Sequence, residues 1–90
     1  MTILRNGYKV LLKHEGINNG VVLALTVGTK NEYATWITVN NKMDNTAHGN
    51  YFMIDLKGMD VEVAHETAYQ EAFEDYLNRI KISYDKNGLV

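Results

Sequence analysis

Three histidines, His14, His48 and His65, are the side chains best suited to hold a metal or shuttle a proton. A zinc-binding helix needs two of them one turn apart, and a calcium loop needs oxygen ligands at alternate positions. Neither spacing occurs. His65-Glu66 lacks the second histidine of an H-E-x-x-H motif, and Asp44, Asn45 and His48 follow no ligand pattern. Ser83 is the only serine, cysteine is absent, and no base is indicated that would activate a threonine. Glu71, Glu74 and Asp75 cluster in sequence, but helical spacing sends them to a solvent side, away from any cleft that would shift a carboxyl pKa. Walker and dinucleotide glycine loops are missing as well. These residue types argue against an enzyme and call for no metal and no cofactor.

Ninety residues, 46% hydrophobic and 22% charged, suit one globular domain and exclude a disordered chain. No apolar run approaches the ~20 residues of a membrane span. The longest is Val21-Val22-Leu23-Ala24-Leu25, and no secretory signal opens the chain. The absence of cysteine fits a cytoplasmic location.

The elements follow from periodicity. Residues 8–14, 21–27, 33–39 and 51–56 read as strands of an antiparallel meander, with the apolar 21–27 segment central. Residues 2–4 are set to pair back as a short edge, and Asn6-Gly7 and Asn19-Gly20 mark turns. Residues 40–50 form the longest loop. Ala68, Tyr69, Ala72, Phe73, Tyr76, Leu77 and Ile80 recur at helical spacing and place one amphipathic helix over about 65–81. Its start is open between an Asp60 cap and a Thr67–Gln70 capping box, and the alternation of Met59, Val61 and Val63 offers a fifth strand instead. The fold class is α+β, an antiparallel sheet of four or five strands on one C-terminal helix. The domain covers residues 1–82, and 83–90 is a tail.

Two surfaces emerge. Seven acids and one lysine fall between Asp55 and Asp75, against five bases and three acids from Met1 to Ile54. On the helix, Glu66, Glu71, Glu74 and Asp75 share an outward face suited to a protein partner with a basic surface. The second surface is the sheet face away from the helix. With Val10, Leu12, Leu23, Leu25, Ile37, Val39, Phe52, Ile54 and Leu56 turned to the helix, alternation sends Lys9, Leu11, Lys13, Val22, Ala24, Trp36, Tyr51 and Met53 to the other side. One helix cannot cover both faces, so Trp36, with Leu11, Val22, Tyr51 and Met53, should anchor a protein interface and make the chain a homodimer. The competing use of that face is weak single-stranded nucleic-acid binding, with Trp36 and Tyr51 stacking on bases and Lys9 and Lys13 meeting phosphates. The net charge of −2 speaks against it. The sequence thus points to a small non-enzymatic protein-binding module. Its size and its lysine-, asparagine- and tyrosine-rich composition suggest an accessory or inhibitory factor of a phage or other mobile element.

Overall fold

The computed structural model describes residues 7–16, 19–26, 32–39, 42, 49–56, 58 and 60–87. Within them lie four strands, β1 (Tyr8–Glu15), β2 (Asn19–Thr26), β3 (Glu32–Val39) and β4 (Asn50–Met53), followed by one helix, α1 (Val61–Asn87). The strands pair in the order β1-β2-β3-β4, antiparallel throughout, and the helix crosses β2, β3 and β4. This is the α+β meander that the strand spacing predicts.

The apolar run at Val21 becomes the middle of β2, where Val21, Val22, Leu23 and Ala24 have no exposed surface. Burial on both faces explains why the run shows no polar alternation. Gly20 starts this buried stretch, and its N–H donates to the Thr38 hydroxyl at 2.8 Å instead of sitting in the turn. The turn lies just before it, closed by the Gly16 N–H donating to the Asn19 carbonyl at 3.0 Å.

Strict alternation fails in β1. Val10 pairs with Ala24 and Leu12 with Leu23, so Leu11 is an extra residue in a β-bulge. A bulge resets the side-chain phase of its strand. Val10 therefore packs with Tyr8 and Trp36 on one face, while Leu11 and Leu12 both pack against the helix-side core. The expectation that Leu11 turns away from the helix is corrected by this one-residue insertion.

The helix begins earlier than its aromatic stripe suggests. Asp60 caps it, accepting the Glu62 N–H on Oδ1 at 3.0 Å, while its carbonyl accepts the Ala64 N–H at 2.9 Å. Thr67 does not cap; its hydroxyl donates to the Val63 carbonyl one turn back, at 2.8 Å. Val61 and Val63 are thus in the first helical turn, and no fifth strand forms there among the described residues. The helix also runs through Asn87, so the first five residues of the expected tail are helical. The sequence explains this: no glycine or proline occurs between Gly58 and Gly88. The expected edge at residues 2–4 lies outside the described residues, as does all of the 40–50 loop except Lys42, Gly49 and Asn50.

Ala64, Ala68, Ala72 and Tyr76 form the helix stripe that meets Val21, Leu23, Tyr33 and Ile54 of the sheet layer. Alanine at three positions four residues apart lets the helix lie close to the strands. Larger rings flank the stripe: Tyr33 meets Tyr69 edge-on with centroids 5.5 Å apart, and Tyr69, Phe73 and Tyr76 stack at 6.0 and 6.2 Å. Burial raises the pKa of the Tyr33 and Tyr76 hydroxyls, with Tyr69 adding to both shifts. Leu77, placed on this face by spacing alone, is 49% exposed.

Candidate functional site at the junction of β4 and the helix

The face opposite the helix does not offer the expected surface. Tyr8, Val22, Ala24, Ala34 and Trp36 form a second buried cluster there, and Trp36 and Val22 are 0% exposed within the single chain. The Tyr8 ring meets the Trp36 indole edge-on at 5.6 Å, and its hydroxyl donates to Glu32 Oε1 at 2.9 Å. Burial, then that bond to a carboxylate, pushes the Tyr8 hydroxyl pKa far up. Trp36 and Val22 are core residues, which removes them from any contact surface. The same burial withdraws Trp36 as a stacking platform for bases. Lys13, offered for phosphates, pairs instead with Glu15 at 2.8 Å on the exposed surface, and that lysine lowers the Glu15 pKa.

Asp75 is corrected too. It was placed on the outward acidic face, but its carboxylate turns to the sheet. Oδ2 accepts from the Thr35 hydroxyl and from Arg79 Nε at 2.9 Å, and Asn50 Nδ2 lies 3.2 Å from both oxygens. Burial by itself would raise the Asp75 pKa. The bonds from Thr35, Arg79 and Asn50, with the Arg79 charge, outweigh it and hold the carboxyl below its ordinary value. Nothing at the sequence level singled out Thr35 or Asn50. The available signal was a threonine on the helix-facing side of β3, between Tyr33 and Ile37, where an apolar residue would otherwise stand.

Glu66, Glu71 and Glu74 are exposed on the helix as expected. Tyr51 and Met53 are exposed as well, 50% and 78%. The structure therefore separates the predicted contact residues: Trp36 and Val22 lie in the core, and Leu11 is on the helix side. Tyr51 and Met53 remain at the surface, on an edge strand.

Around Met53 the surface is apolar. Met53, Ile54, Asp55 and Leu56 line a cleft of about 420 Å³. A second cleft, of about 110 Å³, shares Met53 and Asp55 and runs to Ala64, Thr67, Ala68 and Glu71 of the helix. Leu56 is 46% exposed, and Val61 and Val63, in the first helical turn, are 57% and 50% exposed. Sequence reasoning missed these three as surface residues, assigning Leu56 to the helix-facing sheet and the valines to a possible strand. The missed signal was Asp60: with a cap there, Val61 and Val63 fall at positions one and three of the helix, ahead of its buried stripe. Glu71 stands on the wall of this junction, one turn beyond Thr67.

Among the described residues no cluster of histidine and carboxylate side chains has metal-holding geometry. His65 contacts Tyr33, with its Nδ1 3.4 Å from the tyrosine hydroxyl oxygen. No described helix is long and apolar enough to cross a membrane. Compared with known protein families, curated proteins and solved structures, the chain matches none.

Proposed function

We propose that this chain is a non-catalytic binding module for another protein, and that it docks a basic, apolar segment of that partner where β4 runs into the helix. The observation that carries this reading is Met53, 78% exposed in a pair of joined clefts with an apolar floor and an acidic wall. Large apolar side chains left open in this way are the usual anchors of an interface. The charge selects the partner. Asp55 and Glu71 line the junction, and Glu62, Glu66 and Glu74 are exposed along the same helix. A basic segment would be steered to this side, whereas two copies meeting here would bring these acids together. A basic partner is thus favoured over the homodimer, and the buried indole leaves single-strand binding without its platform.

The test uses synthetic peptides alternating leucine with lysine, followed by fluorescence anisotropy, against glutamate-for-lysine controls. The lysine peptides should bind and the glutamate peptides should not. Met53→Asp should weaken binding by about tenfold or more, the loss of ~1.4 kcal/mol or more at a central contact. Glu71→Lys should weaken it and flatten its salt dependence. Equal binding of both peptide classes, no change in either variant, or a dimer by light scattering that Met53→Asp dissolves would each overturn the assignment.

A further inference from the structure

A separate cleft opens on the other side of the Asp75 contact. It has a volume of about 230 Å³ and is lined by Ile37, Asn50, Asp75, Asn78, Arg79 and Ile82. Its most unusual occupant is the Arg79 guanidinium. The side chain is only 14% exposed, and Nε is committed to Asp75. Among the described residues its two terminal Nη groups have no hydrogen-bond partner. Donors without a protein acceptor on the lining of a cleft are placed to bond an acceptor that enters it. Asp75 is itself fixed by Thr35 and Asn50, so the guanidinium is held in place before any ligand arrives.

From this geometry we infer that the cleft binds a small monocarboxylate. A guanidinium anchored through Nε presents its Nη groups as a planar fork, which matches the two oxygens of a carboxylate. The amides of Asn50 and Asn78 add polar groups on the lining, and Ile37 and Ile82 offer apolar walls for a short branched body. The Asp75–Arg79 pair brings no net charge, so recognition rests on bond geometry at short range. That arrangement disfavours dianions such as phosphate, whose larger desolvation cost no net positive charge offsets. The volume falls below the ~300–1,000 Å³ of pockets for drug-sized molecules, which sets the ligand as a compact acid. The carboxylate could belong to a free acid or to the C-terminus of a peptide.

Isotope-labelled protein titrated with isovalerate tests this, with the backbone signals of Asn50 and Asn78 and the side-chain signal of Arg79 as readout. Saturable shifts at these positions are expected. Isovaleramide, the same shape without the charge, should bind about tenfold more weakly or worse, as should phosphate. A leucine-terminated tripeptide beside its C-terminally amidated form tells the two carboxylate sources apart; binding by either acid supports the site. Arg79→Gln should abolish the shifts. Because that change also touches Asp75, Asn78→Ala serves as the second variant: Asn78 lies outside the Asp75 bonds, and its loss should weaken isovalerate binding several-fold with the fold intact. No saturable response from isovalerate or the free-acid tripeptide, an equal response to the amide, or shifts indifferent to both substitutions would overturn the assignment.

Discussion

Two apolar groups of similar composition meet opposite fates in this molecule. Trp36, with Val22, Ala24 and Ala34, lies on the sheet face opposite α1, yet it has no exposed surface. Met53, Leu56, Val61 and Val63 lie where β4 runs into the helix, yet each is between 46% and 78% exposed. Counting helices against sheet faces therefore misjudges where open apolar surface falls. On the Trp36 face, side chains of β1, β2 and β3 cluster around the indole, with the Tyr8 ring edge-on against it. At the β4 junction the chain leaves the sheet after four residues and enters the helix through a cap, so its apolar side chains have no second layer to meet.

The contrast can be broken most sharply at Trp36. Trp36→Ala should cost about 3–5 kcal/mol, the price of emptying a packed aromatic site, and denaturant titration should show an earlier midpoint. Were the midpoint unchanged, the indole would not be core and the two groups would be alike. Wild-type tryptophan emission should also be blue-shifted and resistant to aqueous quenchers.

A somewhat smaller effect is expected at the bond network between the two regions. Asp75→Ala leaves Thr35, Asn50 and a largely buried Arg79 without their shared acceptor, and should cost about 3 kcal/mol. The same site carries a pH signature. The folded-state pKa of Asp75 is depressed, so its contribution is complete above the unfolded value of about 3.9 and is lost as pH falls through the folded one. Wild type should thus lead Asp75→Asn in stability at pH 7, and the gap should close as the pH is lowered below about 4. A gap that stayed constant would mean the carboxylate charge plays no part.

Least of all should change when the open group is altered. Met53→Asp and Val63→Lys should each move stability by no more than about 0.5 kcal/mol, since neither side chain is packed. Thermal unfolding checks this. A drop of 2 °C or so is tolerable for a domain of this size, whereas one of about 10 °C would show that the junction is core after all.

Much of the architecture could be read from residue order. The four strands fall within one to three residues of their expected bounds, because alternation and branched residues mark them. The helix body followed from the alanine and aromatic spacing. Side-chain phase could not be read across Leu11, since a bulge leaves no mark in an apolar run where every neighbour is acceptable on either face. Asp75 misled for a related reason. A carboxylate on a helix is taken as solvent-facing unless its acceptors are known, and Thr35 and Asn50 lie 40 and 25 residues away. Trp36 was recognised as unusual, but its burial depends on the neighbours of three strands together.

The alanine stripe has a further consequence. Ala64, Ala68 and Ala72 repeat at one spacing, so sliding the helix by a turn would set alanine where alanine had been. The three alanines alone therefore do little to fix axial position, which falls to Tyr76 at the end of the stripe and to the polar contact beside it. A one-turn slip moves a side chain by about 5.4 Å, well beyond hydrogen-bond reach. Asp75, gripped by Thr35 and Asn50, acts with Tyr76 as the detent that tells adjacent notches apart.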